Sequence, residues 1–207
     1  MIITEIKKDK KHLMRISFSN GEEILLDTDT CTENRLIKGL ELDEETVAEL
    51  YFDSEYKRAK SRALWYLDRM DYTEKSLSQK LNRAGFSKES VAAVMANLVE
   101  FGMVDDRRYA ERYAQRLIEQ NTSKREALNK MYLKGIPYDL AKEVLEEIDT
   151  DELSQIAELL ERKYAAKLND EKGGEKVFAA LIRKGFSYSA VRTALKKYIE
   201  ELEYSED

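Results

Sequence analysis

Three stretches of this chain align without a gap at a spacing of fifty residues: LSQKLNRAGFSKESVAAVMANL from Leu77, ALNKMYLKGIPYDLAKEVLEEI from Ala127 and VFAALIRKGFSYSAVRTALKKY from Val177. Gly85, Gly135 and Gly185 superpose in this register, each followed by Phe86, Ile136 or Phe186 and preceded four residues earlier by Leu81, Met131 or Leu181. Downstream, Val91, Ala141 and Val191 coincide, as do Met95, Leu145 and Leu195. A repeat of this length is one supersecondary unit that stacks on its neighbours to complete a core.

Each position of the repeat has a mechanical reading. A glycine after a helix takes the left-handed conformation that ends it, and an apolar residue just beyond folds back on the last turn. Ser87 and Ser187 are N-cap candidates for the helix that follows, and Pro137 is tolerated in a first turn. A further helix precedes each pair, marked by Ala59, Ala63, Leu67 and Met70 in the first unit. In the second the stripe is Tyr109, Ala110, Tyr113, Ala114, Leu117 and Ile118; in the third, Ile156, Leu160, Tyr164 and Leu168 on a longer helix. The predicted fold is mainly α: three tandem three-helix repeats, helix-turn-helix-like, in an elongated curved array with a small N-terminal antiparallel β meander.

The segment boundaries follow from these patterns. Residues 1–41 are read as the meander, 42–55 as a connecting helix, 56–104, 105–149 and 150–200 as the repeats, and 201–207 as an acidic tail belonging to the disordered stretch EELEYSED. In the meander, Met14, Ile16 and Phe18 alternate with polar residues, as do Ile24 and Leu26. A two-residue turn at Asn20-Gly21 would put Ile24 on the wrong face. A three-residue loop with Gly21 left-handed pairs Ile16 with Ile24. Ile2 to Ile6 adds a strand through the polar turn KKDKK, and Asp43 caps a helix running through Val47 and Leu50.

Composition excludes several classes. One Cys and one His, Cys31 and His12, leave almost no material for a zinc site or a Cys/His nucleophile pair. The chain lacks a run of about 18 apolar residues and the start lacks an export signal, so a cytoplasmic protein without membrane span is expected. Residues 1–55 carry a net −7, residues 56–149 a net +3 and residues 150–207 a net −2. A weakly positive middle argues against tight, indiscriminate duplex binding and allows a basic stripe aimed at an acidic partner.

That stripe comprises Arg107, Arg108, Arg112 and Arg116, followed by Lys124, Arg125, Lys130 and Lys134. A solvated face paired with Glu111 and Glu119 is the competing reading. Asp105 and Asp106, after Gly102, Met103 and Val104 at the junction, read as a helix cap rather than a metal site, and Ser123 with Glu126 as a capping box. Trp65, Tyr66, Tyr72, Tyr132 and Tyr138 read as packing residues rather than base-stacking platforms. No catalytic residue, cofactor or metal is expected.

The segments ALWYLDRMDYTEKSLSQKLNRAGF, LVEFGMVDDRRYAERYAQRL and ALNKMYLKGIP resemble the RecX family of bacterial RecA regulators. The most specific block is Gly102-Met-Val-Asp105-Asp106-x-x-Tyr109-Ala110, followed by Lys134-Gly135-Ile136. The resemblance covers about residues 56–200, more loosely in the third repeat, where the lead helix is longer and Gly173-Gly174 interrupts. It implies a non-enzymatic, monomeric protein that binds RecA filaments on single-stranded DNA, bridges neighbouring protomers and suppresses ATP hydrolysis, strand exchange and repressor cleavage. A stack of small modules suits such multivalent contact, and the eight basic residues become the candidate filament-facing surface. Weak direct DNA binding is compatible with this. The rival reading, direct nucleic-acid recognition by all three helix-turn-helix pairs, is disfavoured by second helices poor in Arg, Asn and Gln. An enzyme lacks a phosphate-cradling loop or an acid/base pair.

Overall fold

The computed structural model of the chain describes residues 1–10, 12–168, 170 and 172–205. The chain forms two compact units, Met1–Asp105 and the remainder from Asp106.

The first unit opens with a three-stranded antiparallel sheet in the order β1 (Ile3–Lys10), β2 (Leu13–Phe18), β3 (Glu23–Asp27). Ile16 pairs with Ile24, and Gly21 has φ +87°, as the three-residue loop requires. Of the stretch expected to turn, KKDKK, residues 7–10 instead continue β1, Lys8 pairing with Met14 and Lys10 with Leu13, while Lys11 lies outside the described residues. An edge strand tolerates lysines because its backbone is satisfied on one side while the charged side chains stay in water and discourage further pairing. One sheet face buries Ile3, Ile16, Phe18 and Leu26 against Cys31, Val47 and Leu50.

A short helix α1 (Thr28–Glu33), not anticipated from periodicity, follows β3. Asp27 caps it, accepting from the Thr30 backbone at 3.0 Å and the Thr30 hydroxyl at 2.6 Å. The next helix, α2, runs unbroken from Glu44 to Leu67, with Asp43 as its N-cap. Nothing in Tyr51–Glu55 breaks a helix. Val47 and Leu50 on its first half complete the core under the sheet, so the meander docks rather than swings. Ala59 and Ala63 on its second half pack against α3 (Glu74–Arg83) and α4 (Lys88–Glu100). Between those halves sits buried Glu55, whose carboxylate accepts from the Ser87 backbone and hydroxyl and, at 2.8 Å, from Ser90.

The second unit contains α5 (Asp106–Glu119), α6 (Lys124–Leu133) and α7 (Tyr138–Glu147) around one core. A second core is formed by α8 (Glu152–Leu159), a π-helical segment (Leu160–Tyr164), α9 (Ala165–Leu168), α10 (Gly173–Arg183) and α11 (Tyr188–Ser205). Four-residue steps drift around an α-helix of 3.6 residues per turn. The widened π turn keeps Ile156, Leu160 and Tyr164 on one buried stripe.

The three repeat glycines have φ +93°, +93° and +94°. Behind them Phe86, Ile136 and Phe186 donate to the carbonyls of Leu81, Met131 and Leu181, while the glycine N–H groups reach Asn82, Tyr132 and Ile182. This is the Schellman closure at all three turns.

Several local expectations are corrected. Met70 lies beyond α2 and is exposed, and of the junction pair only Val104 is buried; Met103 is exposed. Pro137 stands at the N-cap of α7 rather than in its first turn, and without a hydroxyl it makes no side-chain cap. Gly173 and Gly174 open α10. Ser123 does cap α6 by accepting from the Glu126 N–H at 3.2 Å, but Glu126 turns its carboxylate to Lys130 and Lys184, whose charges outcompete a backbone N–H. The reciprocal capping box occurs instead at Thr73 and Ser76. The stretch expected to be a disordered tail continues α11 through Ser205; its last two residues, 206 and 207, lie outside the described ones.

Candidate functional site

The eight basic residues of the stripe lie on α5, α6 and the turn after α6, and the structure separates them into two groups. Arg107 is committed to the fold. Its Nε meets Glu111 at 3.0 Å, and its two terminal nitrogens meet Glu143 at 2.6 Å and Glu147 at 2.8 Å, tying α5 to α7. The hydrogen bonds it donates to Glu143 first and Glu147 second raise the pKa of a group already cationic at every accessible pH. Lys124 donates to the Ile148 carbonyl at 2.6 Å, a cation placed where α7 ends and its dipole is negative. Lys130 pairs with Glu126 at 2.9 Å, and the Arg116 guanidinium lies 5.0 Å from the Tyr113 ring centroid.

Arg108 and Arg112, one turn apart on the side of α5 opposite buried Ala110 and Ala114, are exposed, as are Arg125 and Lys134. Beside α5 a groove of about 510 Å³ is lined by Arg112, Arg116, Glu119, Val144, Glu147 and Ile148. Its lining mixes acidic, basic and apolar side chains. Asp105 stands immediately before α5 and Asp106 opens it, and among the described residues no group of three or more His, Cys, Asp or Glu is placed to hold a metal ion.

The α6–α7 turn carries residues that periodicity misassigned. Tyr132 and Tyr138 are 55% and 54% exposed rather than packed, and Leu133, between them, is 83% exposed. Large apolar groups presented together around one turn mark an interaction site more often than isolated ones do. A signal for Leu133 exists in the repeat itself. The equivalent positions are Arg83 and Arg183, so the second repeat alone places an aliphatic residue where its siblings place a surface cation.

In the first unit, Tyr66 and Tyr72 pack against the core as expected, whereas Trp65 is 47% exposed. The Arg69 guanidinium lies 3.5 Å from its ring centroid and Arg62 5.7 Å away. Trp65 also helps line a hollow of about 610 Å³ with His12, Asp29, Lys57, Arg58 and Arg62.

Comparison with known proteins agrees with the repeat pattern. Residues 59–98 match the family model described as RecX, first three-helix domain, and residues 149–195 the one described as RecX, third three-helix domain. The chain is similar to the regulatory protein RecX of Streptococcus sanguinis, 31% identical over all of this chain and 79% of that protein. The regulatory protein RecX of Streptococcus gordonii is also 31% identical, over 94% of this chain and 76% of that one. In fold it is similar to a crystal structure of regulatory protein RecX, with TM-score 0.68 and 23% identity over 93% of this chain and 98% of that one. A second likeness is to RecX from Lactobacillus salivarius, with TM-score 0.62 and 21% identity over 69% of this chain and 96% of that one.

Proposed function

Because the chain belongs to the RecX family, we propose that it is a non-catalytic regulator that binds RecA filaments assembled on single-stranded DNA and restrains their ATPase, strand-exchange and coprotease activities. The observation that carries this reading is the composition of the second repeat's surface. Exposed Arg108 and Arg112 lie on α5, while Tyr132, Leu133 and Tyr138 surround Lys134 at the α6–α7 turn. Tyrosine and arginine are what protein interfaces concentrate, and an exposed leucine beside them adds to an apolar patch of the kind that marks interaction sites. Several modest contacts distributed over repeated modules, meeting a partner that repeats its own subunits, gain avidity without any single strong site. Among the described residues no helix is long and apolar enough to cross a membrane.

The test is the ATPase rate of RecA from the same organism, preassembled on single-stranded DNA and titrated with this protein, with free-DNA affinity measured in parallel. Inhibition at concentrations too low to compete for DNA is the expected result. Charge reversal of Arg108 and Arg112 together weakens that inhibition. If the rate falls only as the protein coats the DNA, or does not fall, the proposal fails.

A further inference from the structure

We infer that the hollow in the first unit is a binding site for single-stranded nucleic acid, in which a base stacks at Trp65 and phosphates meet the cations of α2. This goes beyond the filament reading and does not depend on it, because all the residues involved lie between His12 and Phe86.

The site is built along one side of α2. Arg58, Arg62 and Trp65 succeed one another at three- and four-residue spacings, with Arg69 a further turn on, so they stand one above another along the helix. The Arg58 Nε donates to the Ser54 carbonyl at 3.3 Å, which anchors the guanidinium and leaves its terminal nitrogens as further donors. Lys57 is steadied by Glu33 of α1. Trp65 is half exposed; the Arg69 guanidinium, which donates to the Trp65 carbonyl at 2.7 Å, covers one face of the ring at 3.5 Å from its centroid and does not line the hollow, so the base stacks on the other face, beside Arg62. That combination of stacking plane and backbone-neutralising cations is what sequence-tolerant binding of single strands uses.

The opposite wall is acidic and sets the orientation of a bound nucleotide. Asp27 is occupied by the Thr30 backbone and hydroxyl. Asp29, exposed in the first turn of α1, offers acceptor oxygens that suit the exocyclic amino groups of bases and repel phosphates toward α2. The site therefore orients a nucleotide with its base edge toward the sheet side and its phosphates toward α2. A volume of about 610 Å³ accommodates one nucleotide, the strand continuing along the cationic side of the helix.

Trp65 is the chain's one tryptophan and so serves as the probe. Titration of the full-length protein with a short oligodeoxycytidylate, whose bases carry an exocyclic amino group, should quench its fluorescence. With a dye-labelled oligonucleotide read by anisotropy, Trp65→Ala should weaken binding roughly 5- to 100-fold, and Trp65→Phe by less. Arg62→Glu, a surface change whose fold is checked by circular dichroism, should weaken binding about tenfold and reduce the salt slope by about 0.7 per lost phosphate contact. Arg108→Glu with Arg112→Glu should leave free-oligonucleotide binding unchanged. The assignment is overturned if the fluorescence does not respond, or if the α5 changes abolish binding while Arg62→Glu does not. It is also overturned if Arg62→Glu weakens attachment to an assembled filament alone, which would make this face a protein-docking surface.

Discussion

Gly185 is where the third repeat's turn presses on the second repeat's helix start, and alanine there should cost more than alanine at its counterpart Gly85. Both have φ near +93°, so each substitution forces a side chain into the left-handed region at about 1–2 kcal/mol. At Gly85 an added Cβ meets nothing within 4 Å, and the backbone term is the whole effect. At Gly185 the same Cβ would lie 2.8 Å from Arg125 Cβ, 2.9 Å from Ser123 Oγ and 3.1 Å from Arg125 Cδ. The first two are not the far ends of flexible chains. Ser123 in addition donates to the Lys184 carbonyl at 2.5 Å while capping α6, so it has little room to retreat. Overpacking adds about 1–3 kcal/mol and a disturbed cap about 1 kcal/mol more, giving roughly 3–6 kcal/mol for Gly185→Ala. Urea unfolding followed by far-UV circular dichroism measures the loss, and Trp65 fluorescence reports the first unit separately. With a slope of about 2 kcal/mol per molar urea, the midpoint shifts caused by the two substitutions should differ by about 1–2 M. Equal losses at the two glycines would refute the interlock between Gly185 and α6.

Three further outcomes follow from other parts of the chain. At Glu55, burial disfavours the charged form, but hydrogen bonds from Ser87 and Ser90 outweigh it and hold the carboxyl below its ordinary range. A depressed pKa contributes stability above the unfolded value, about 4.3, that is lost as pH falls through the folded value. The stability gap between the native chain and Glu55→Gln should therefore narrow in acid, and a gap constant from pH 7 to pH 3 counts against the assignment; Glu55→Ala should cost about 1–3 kcal/mol at neutral pH by leaving buried donors unpaired. Burial first, and the charge of Asp27 second, push the Cys31 thiol up to about 11. A thiol reagent at pH 7 should modify it at least about a hundredfold more slowly than an unperturbed cysteine, accelerating only on denaturation. Leu133→Glu, at a position 83% exposed, should leave the melting temperature unchanged and weaken filament binding about tenfold.

The helical repeats were legible because their signals are local. A Schellman turn needs only a glycine, the apolar residue after it and a partner four residues before the glycine, all within one six-residue window. The N-terminal register was legible for the same reason, since parity alone decides which face Ile24 joins. What was not legible depends on chain segments far apart. Arg107 reads as one more cation of a stripe until Glu143 and Glu147, 36 and 40 residues on, close around it. Glu126 reads as the second half of a capping box until Lys184 arrives from another repeat. Trp65 reads as core because aromatic residues on helices usually are; it stands on the side of α2 opposite Ala59 and Ala63, which pack the first repeat's core. The strand through residues 7–10 escaped because lysine runs favour solvent, a preference that an edge strand satisfies as well as a turn does.

The unbroken α2 decides how the chain can be divided. Its first half closes one core and its second half another, with Glu55 between them holding the start of α4. A shortened protein beginning at residue 56 would start in mid-helix, forfeit that carboxylate and strand the Ser87 and Ser90 donors. The sheet and the first repeat thus share a spine, and neither can be excised without wounding the other.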